Sequence, residues 1–446
     1  MLKKFNEEYK YKLKNIPELD ILELVSCLTD LIDLINPVLS NHHEYVRYIS
    51  FRIAVELGFS DEELITMIIA ATLHDIGAIS LKERFDTFEF DYNLDSNCHS
   101  DAGYYLLRDF PPFADIAKII KYHHYSWDYG NGKIDEDNNE IPLMSHIINL
   151  ADRVAILIEN DKEVISQSES IIELIKKHKG SYFKEDLVEV FLTVAERKYF
   201  WFDLMHKPLR KLTDLFIKRH NITGKIIKFD VKSLTELTNL FSRIIDFKSP
   251  FTATHSSGVS AAGVFLARAA GFSAQELELM KIAGNLHDIG KLTIPNSILE
   301  KPGKLTDYEF NIIQRHVYYS YRVLDEFEDF DIIKIWGSFH HERINGKGYP
   351  FQFEGDELPT GSKIMAVADV FTALTEDRPY RKGMSQEKTL KLLENMVRVN
   401  SLDEEIFDLL KENFDDINDV RFIAQRKSTK LYEEFVNNIE AAKIIG

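Results

Sequence analysis

The chain repeats one order of histidine and aspartate residues. His42 and His255 lie 213 positions apart, and the dyads His74-Asp75 and His287-Asp288 keep the same offset. The offset of 213 also relates Asp33 to Asp246, and after the dyad an offset of 217 relates His99 to His316, His123-His124 to His340-His341, and Asp152 to Asp369. One insertion between the dyad and the next histidine accounts for both offsets. The sequence therefore predicts two copies of one module.

Apolar residues recur at helical spacing through nearly the whole chain. The apolar run Leu64 to Leu73 leads into the first dyad, and Leu277 to Leu286 leads into the second. Gly58 followed by Ser60 is typical of a helix end and a new N-cap. The segment 225–231 is either a short strand or part of a linker. We expect an all-α protein of two tandem helical modules, with an N-terminal module at 1–205, a linker at 206–230 and a C-terminal module at 231–446.

Composition limits the partners of this protein. The formal net charge is −18, which argues against nucleic-acid binding because that function needs a basic face. Two cysteines cannot build a disulfide framework, so we expect a reducing, cytoplasmic location. We expect no membrane segment, since no apolar run is long enough. The long helical stretches at 163–200 and 386–440 are compatible with a homodimer.

Each module supplies more candidate ligands than one metal ion can use. The candidates are Asp33, His42, His74, Asp75, His99, His123, His124 and Asp152 in the first module, and Asp246, His255, His287, Asp288, His316, His340, His341 and Asp369 in the second. Imidazoles with carboxylates suit Fe, Mn, Zn or Co, and a carboxylate can bridge two ions. The dyad aspartate, Asp75 or Asp288, is the expected bridge. Two such ions would activate a water and clamp the attacking and leaving oxygens of a phosphodiester.

The remaining histidines have no partner in the repeated pattern. They are expected to be structural or surface residues: His43, His146, His178, His206 and His220. Cys98 lies beside His99, but its repeat equivalent is Arg315, so we do not expect it to be a ligand.

The two modules differ around the candidate ligands. Lys291 follows the second dyad, whereas Ala78 occupies the equivalent position of the first. The second histidine pair is followed by a turn with Arg343, two glycines and Tyr349, which could hold a nucleotide. After the last aspartate the second module has Arg378 and Arg381, a spacing suited to phosphate oxygens, whereas acidic residues follow in the first. Only the second module is therefore expected to take a phosphorylated substrate.

Residues 246–383 resemble the HD-GYP domain, a branch of the HD phosphohydrolase superfamily. The resemblance rests on separated motifs in order, namely His255, His287-Asp288-Ile-Gly-Lys291, His316, His340-His341-Glu342, Gly348-Tyr349-Pro350, Asp369 and Arg378-Pro-Tyr-Arg381. HD-GYP proteins are bacterial phosphodiesterases that convert cyclic di-GMP to linear pGpG and often GMP, and some prefer cyclic GMP-AMP. The resemblance implies two or three divalent ions per active site, with Fe or Mn favoured and Zn, Co or Ni possible. It also implies phosphate contacts from Lys291, Arg378 and Arg381.

The chain departs from the family pattern at three positions. Asp246 occupies the position of a glutamate that usually holds a third metal, and its side chain is one methylene shorter. Asn345 and Thr372 replace two frequent aspartates. The first module, roughly 33–161, resembles a degenerate copy that keeps the ligands and has lost the Gly-Tyr-Pro motif, the lysine and the arginines. We expect it to bind metal and to regulate or brace the second module.

The function expected from these features is hydrolysis of a cyclic dinucleotide by the C-terminal module, with cyclic di-GMP as the expected substrate and linear pGpG or GMP as the product. His287, Asp288 and Lys291 would carry catalysis. The substrate would be bound by Lys291, Arg343, Gly348, Tyr349, Pro350, Arg378 and Arg381. Three alternatives stay open: a cyclic GMP-AMP phosphodiesterase, a cyclic-dinucleotide receptor without hydrolysis, and di-iron oxygenase-like chemistry in the N-terminal module.

Overall fold

A computed structural model describes most of the chain. The described residues are 22, 25–26, 41–80, 98–135, 138–159, 161–205, 208–220, 222, 231–249, 253–301, 303–327, 330–377 and 381–445. Within them the structure has nineteen α-helices and no strand beyond isolated bridges. The predicted all-α fold is therefore confirmed for this part of the chain. Packing divides the described part of the chain into an N-terminal unit, Asp20–Ile227 with Asn437–Gly446, and a C-terminal unit, Lys228–Val436.

The N-terminal unit contains nine of these helices. They are α1 (His42–Glu56), α2 (Asp61–Leu73), α3 (Cys98–Leu107), α4 (Ala114–Lys121), α5 (Leu143–Ile156), α6 (Val164–Lys177), α7 (Glu185–Ala195), α8 (Lys198–Met205) and α9 (Arg210–Arg219). Short 3-10 helices span Ile76–Ser80, Pro111–Phe113 and Asp128–Lys133.

The remaining helices begin in the C-terminal unit. They are α10 (Val231–Asp246), α11 (His255–Ala269), α12 (Ala274–Leu286), α13 (Asn296–Leu299), α14 (Asp307–Leu324), α15 (Asp331–Ser338), α16 (Thr360–Thr375), α17 (Gln386–Arg398), α18 (Glu404–Glu412) and α19 (Phe414–Ile445). Short 3-10 helices span Ile289–Thr293 and Gly355–Glu357.

The repeat seen in the sequence is also a repeat of structure. Helices α1 and α11, and helices α2 and α12, begin and end at equivalent positions. Ser60 caps α2 and Ser273 caps α12, each by accepting from the backbone N–H three residues on, where a glutamate returns the bond. Such a capping box typically stabilises a helix start by about 1 kcal/mol. The predicted helix restart at Ser60 is thus confirmed, and it recurs in the second module.

Each unit packs one central helix against two others. Helix α1 contacts α2 and α5, and α11 contacts α12 and α16. The fully buried side chains on these central helices occupy equivalent positions: Val46, Ile49 and Ile53 on α1, and Val259, Ala262 and Leu266 on α11. Burying a valine, isoleucine or leucine side chain stabilises a fold by roughly 1.5–3 kcal/mol. In each unit the core therefore includes the buried face of the helix that starts with the first candidate histidine, His42 or His255.

The glycine after each dyad allows a close helix crossing. A Cβ atom on Gly290 would lie 1.9 Å from the backbone oxygen of His316, and one on Gly77 would lie 2.0 Å from that of His99. No side chain fits at these distances. The glycine therefore lets the backbone that carries the third histidine approach the dyad, in both units.

The expected linker is partly helical. Helix α9 lies within 206–230, and Arg47 of α1 donates to Asp214 of α9 at 2.9 Å. The division between the units falls at 227 and 228, inside the expected linker. The candidate strand at 225–231 lies almost wholly outside the described residues. Among the described helices, none is both long and apolar enough to cross a bilayer.

Candidate metal centres and substrate site

One carboxylate of the C-terminal unit lies between two groups of imidazoles. Oδ2 of Asp288 lies 3.0 Å from Nε2 of His287. Oδ1 lies 3.2 Å from Nε2 of His316 and 4.0 Å from Nε2 of His340. The carboxylate is buried, and its two oxygens face different histidines. This is the arrangement that a carboxylate bridging two metal ions needs.

The other predicted ligands complete the two groups. Possible ligand atoms of His255, His287 and Asp288 lie within 4.8 Å of one another, as do those of His316, His340 and His341. Asp369 joins the first group, because its Oδ1 lies 3.1 Å from Nε2 of His255. We call these seven residues the C-terminal cluster. The structure brings together every predicted ligand of this module except Asp246.

Backbone carbonyls fix the orientation of three imidazoles in this cluster. Nδ1 of His287, His316 and His340 lies 2.6–2.8 Å from the carbonyl oxygen three residues earlier. A carbonyl only accepts, so Nδ1 carries the proton and Nε2 carries the lone pair. Metal-binding histidines are commonly held in this way. Each of these backbone carbonyls therefore helps to aim an Nε2 lone pair into the cluster.

The polar atoms at the centre of the cluster fit a metal better than they fit one another. Nε2 of His287, Nε2 of His316 and Oδ1 of Asp288 are buried, and none makes a hydrogen bond of acceptable geometry. Buried polar atoms are rarely left so. The donor set of imidazoles and carboxylates is one that Fe, Mn, Zn or Co accepts. The residues present therefore fit two divalent ions.

Charges around the cluster favour bound cations. Burial opposes ionisation of Asp288, but His287 and Lys291 hold the pKa of its carboxyl well below the ordinary value. Burial also opposes ionisation of Asp369, whose pKa is likewise held low, chiefly by the hydrogen bond from His255. Burial and the neighbouring His287 lower the pKa of His340 to about 3. The carboxylates are thus charged and this imidazole is neutral, as metal ligands must be.

Glu376 is a supporting residue that the sequence pattern did not reveal. Its Oε2 lies 3.1 Å from Nδ1 of His255 and accepts from Nε2 of Gln425 at 3.0 Å. Burial lowers the pKa of His255, but Glu376 and Asp369 outweigh it and raise that pKa to about 10. A cation at Nε2 is therefore favoured. The 121 residues between Glu376 and His255 carry no local signal that could have predicted the pair.

Asp246 lies beside the cluster without joining either group. Its carboxylate accepts from the hydroxyl of Ser256 at 2.7 Å and from the backbone N–H of Ser256 at 3.2 Å. Burial raises its pKa to about 7, with a smaller contribution from Asp288. These bonds orient the carboxylate toward the start of α11. A role for Asp246 in holding a third ion stays a prediction.

The turn after the histidine pair is held by Glu342. Its carboxylate accepts from the backbone N–H groups of Phe351, Gln352 and Phe353 at 2.7–3.2 Å. A Cβ on Gly348 would lie 2.4 Å from backbone atoms of this same segment, so only glycine fits there. The turn places the ring of Tyr349 against His341, stacked with centroids 4.8 Å apart. The predicted Gly-Tyr-Pro segment therefore borders the cluster.

The basic side chains predicted to bind the substrate differ in where they lie relative to the cluster. Nζ of Lys291 donates to Oδ2 of Asp288 at 2.5 Å, so the lysine is directly at the cluster. Arg343 follows the histidine pair and has a buried Nη1 without a hydrogen-bond partner. Arg381 donates through Nη2 to the carbonyl of Ala373, one turn after Asp369 on α16. Arg378 lies outside the described residues.

Lys248 is a second residue that sequence reasoning missed. It is buried, and its Nζ donates to the carbonyl oxygens of Lys291, Leu292 and Ile294 at 2.6–3.1 Å. These carbonyls belong to the turn that follows the dyad. The buried ammonium therefore fixes the backbone from which Lys291 extends.

The N-terminal unit contains an equivalent cluster. Nε2 of His42 lies 3.1 Å from Oδ1 of Asp152, and Nε2 of His74 lies 3.3 Å from Oδ2 of Asp75. Oδ1 of Asp75 lies 3.2 Å from Nε2 of His99. We call the seven residues His42, His74, Asp75, His99, His123, His124 and Asp152 the N-terminal cluster. As in the C-terminal unit, the dyad aspartate faces two groups of histidines; Asp33 lies outside the described residues.

The surroundings of the N-terminal cluster are different. Ala78 provides no cation where the C-terminal unit has Lys291. The buried Arg153 follows Asp152, and its Nη2 lies 3.1 Å from Nδ1 of His124. A cavity of about 330 Å³ lies at the turn that follows His124. It is lined by Ser126, Asp128, His178, Ser181 and Tyr182. No lysine or arginine lines this cavity.

Two of the remaining histidines are buried. His43 lies next to the N-terminal cluster, with its ring centroid 5.4 Å from that of His74, and His146 packs edge-on against Trp127. Burial lowers the pKa of His146 to about 4, as expected for a structural residue. His43 shares a possible ligand group with His74 and Asp75, a proximity that its lack of a repeat partner did not suggest. His206 lies outside the described residues.

Comparison with known proteins decides the family. Residues 239–406 and 39–157 each match the HD domain. The chain is 31% identical over 396 residues to the 3'3'-cGAMP-specific phosphodiesterase 1 of Vibrio cholerae, an alignment that covers 87% of this chain and 90% of that protein. The chain belongs to the HD-GYP family. It is an HD-GYP protein with two HD modules, as the repeat predicted.

Other comparisons cover less or show the fold alone. The cyclic di-GMP phosphodiesterase response regulator RpfG of Xanthomonas campestris is 34% identical over 160 residues, which span 35% of this HD-GYP chain and 42% of RpfG. The crystal structure of the cyclic GMP-AMP specific phosphodiesterase V-cGAP3 of V. cholerae superposes with a TM-score of 0.60 at 24% identity. That superposition covers 89% of this chain and 97% of the other.

Proposed function

We propose that the C-terminal unit is a metal-dependent phosphodiesterase of cyclic dinucleotides. The observation that carries this proposal is the position of Asp288, whose two oxygens face His287 and His316 from one buried carboxylate. Two divalent ions held there would supply Lewis acidity and an activated water to a phosphodiester. Lys291 lies at the same carboxylate, where a phosphate oxygen would need a cation.

The residues of this unit divide the work by position. The imidazoles of His255, His287, His316, His340 and His341, with the carboxylates of Asp288 and Asp369, hold the ions. Lys291 and Arg343 neutralise charge on the phosphate, because a preorganised cation stabilises charge that develops in the transition state. Tyr349, stacked on His341, offers its ring to a base or ribose.

Names of relatives support the substrate class. A relative that aligns over 87% of the chain is called 3'3'-cGAMP-specific, whereas RpfG, which aligns over 160 residues, is called a cyclic di-GMP phosphodiesterase. The sequence favours cyclic di-GMP by its resemblance, and both compounds present the same backbone of two phosphodiesters. We propose this class of substrate and let the assay choose between the two.

For the N-terminal unit we propose a metal-binding, regulatory role. Its cluster retains all the equivalent imidazoles and the bridging carboxylate. It lacks a counterpart of Lys291, and the cavity at the turn that follows His124 is lined by neutral and acidic side chains and His178. A doubly anionic cyclic dinucleotide has few partners there.

Product analysis tests the phosphodiesterase proposal. The full chain is purified without oxygen, loaded with Mn(II) or Fe(II), and incubated with cyclic di-GMP and with 3'3'-cyclic GMP-AMP in separate reactions. We expect a linear dinucleotide from at least one, and none from the Asp288→Ala protein. Tight binding of either compound without product, with metal present in the C-terminal cluster, would instead identify a receptor.

A further inference from the structure

Arg153 determines which nitrogen of His124 carries a proton. Its Nη2 lies 3.1 Å from Nδ1 of His124, and both side chains belong to the N-terminal cluster or touch it. A guanidinium nitrogen only donates, so Nδ1 of His124 must accept. Because a neutral imidazole has one proton, that proton is on Nε2. This is the opposite tautomer from His74 and His123, whose Nδ1 atoms donate to carbonyl oxygens at 2.9 and 2.7 Å.

The tautomer of His124 also engages its neighbour. Nε2 of His124 lies 2.7 Å from Nε2 of His99. Since the proton is on His124, Nε2 of His99 is the acceptor, and its lone pair is used in this bond. Two of the three imidazoles beside Oδ1 of Asp75 therefore offer no free lone pair at Nε2. Nε2 of His123 lies 3.4 Å from Nε2 of His99, but neither nitrogen carries a proton, because Nδ1 of His123 donates to the carbonyl of Ile120. His123 alone therefore retains a free lone pair there.

The other half of the N-terminal cluster is not affected. The Nε2 atoms of His42 and His74 each lie 3.1–3.9 Å from a carboxylate oxygen of Asp75 and of Asp152. This set supplies two imidazoles and two carboxylates, which is enough for one divalent ion. A second ion would have only His123 and the other oxygen of Asp75.

Among the described residues, the C-terminal cluster has no side chain equivalent to Arg153. The position equivalent to Arg153 is Val370, which cannot donate a hydrogen bond. Nδ1 of His316 donates to the carbonyl of Ile313, so its Nε2 keeps the lone pair. Among the described contacts of His316 and His341 there is ring packing at 5.2 Å but no hydrogen bond between the two imidazoles.

We propose that Arg153 restricts the N-terminal cluster to a single metal ion, whereas the C-terminal cluster holds two. The inference rests on the proposed metal binding by the N-terminal unit. It makes Arg153 a positioning residue, which acts through the proton on His124 rather than by touching the ion. A mononuclear site cannot clamp both oxygens of a phosphodiester in the way that a pair of ions does.

Metal content and magnetic resonance of the full chain test this inference. The wild-type protein and its variants are equilibrated with Mn(II), and bound manganese per chain is counted by mass spectrometry. Electron paramagnetic resonance separates an isolated Mn(II) from a coupled pair. We expect Asp75→Asn to lose one ion per chain together with the isolated signal. Loss of two ions, or loss of a coupled pair from this variant, would overturn the inference.

Binding of an additional manganese ion would distinguish a positioning role of Arg153 from a purely structural role. Arg153→Met, which removes the donor and keeps the aliphatic stem, is expected to bind one more ion per chain and to convert the isolated signal to a coupled one. Misfolding cannot produce such a gain. The surface variant Arg108→Met is the matched control, because Arg108 contacts Asp109 and the rings of Tyr104 and Tyr105 and none of the cluster residues. An unchanged manganese count in folded Arg153→Met would refute the proposal.

The reciprocal change keeps the test valid if Arg153→Met does not fold. Val370→Arg places the same donor in the C-terminal unit and is expected to remove one ion and the coupling from that cluster. If Asp75→Asn loses no metal at all, the N-terminal unit does not bind metal, and the failure then lies in that earlier proposal.

Discussion

Replacing Glu342 by glutamine should loosen the turn that carries Tyr349. The carboxylate is 1% exposed, and its Oε1 accepts from the N–H groups of Phe351 and Gln352, while Oε2 accepts from that of Phe353. A glutamine keeps one acceptor oxygen and presents an NH₂ group in place of the other. One buried N–H then faces a donor and loses its partner.

The size of the effect follows from these three bonds. Hydrogen bonds to a charged group contribute about 1.5–3 kcal/mol, and leaving a buried donor unsatisfied costs about 1–3 kcal/mol. With two bonds kept in neutral form, we expect the turn to lose about 2–3 kcal/mol of local stability. That corresponds to roughly 30- to 160-fold faster opening, since 1.36 kcal/mol is a factor of ten.

Amide hydrogen exchange measures this opening directly. Exchange of the segment 349–354 should accelerate in Glu342→Gln by the factor given above, and KM for the cyclic dinucleotide should rise because Tyr349 is less firmly held. Glu412→Gln, at an exposed position of α18, is the matched control. Exchange at 349–354 that is equal in both variants would refute the role assigned to Glu342.

Two further outcomes are expected. Gly290→Ala should lower the melting temperature and the activity, because its Cβ would lie 1.9 Å from the backbone oxygen of His316. The control Gly263→Ala, whose Cβ would have no atom closer than 3.5 Å, should be neutral or stabilising by about 0.5–1 kcal/mol. Equal melting temperatures of the two variants would contradict this. Asp246, whose pKa is raised to about 7, keeps its proton in the folded protein after the unfolded chain has lost it, so it costs stability increasingly between about pH 4 and pH 7. Metal-free Asp246→Asn should therefore gain on the order of 2 kcal/mol over wild type at pH 8 and much less at pH 5, and an identical pH profile would disprove this linkage.

The helical architecture could be predicted because a few adjacent residues encode each repeated helix start. Ser60 with Glu63 and Ser273 with Glu276 define helix starts from a few adjacent residues, and the apolar runs after them define the buried helices. The insertion between the dyad and the third histidine changes the offset from 213 to 217 and leaves the patterns on either side of it intact. By contrast, helix α9 lies in a segment whose proline and glycine residues favoured a linker.

The candidate ligands could also be inferred, because a dyad at a helix end and a histidine pair recur at fixed spacing in both modules. Their supporting contacts could not. Glu376 reaches His255 across 121 residues, and Lys248 reaches three carbonyls across more than 40 residues. Such pairs depend on tertiary packing, which no spacing in one sequence encodes.

The sequence revealed only some of the differences between the two modules. Lys291 was expected at a phosphate, and the structure places its ammonium on Asp288, close to the position where such a phosphate would bind. The sequence does not mark Arg153 as a residue of the cluster, because an arginine after an aspartate on a helix is commonly a surface residue. Only its buried contact with His124 reveals how the N-terminal cluster differs.

The central claim is that the C-terminal cluster alone carries the phosphodiesterase chemistry. His287→Ala and His74→Ala remove equivalent imidazoles, each held by a backbone carbonyl three residues earlier. The decisive measurement is the rate of linear-dinucleotide formation by these two full-length, metal-loaded proteins. The account predicts that His287→Ala has no activity and that His74→Ala retains most of it. Activity in His287→Ala, or its complete loss in a folded His74→Ala protein, would contradict the account.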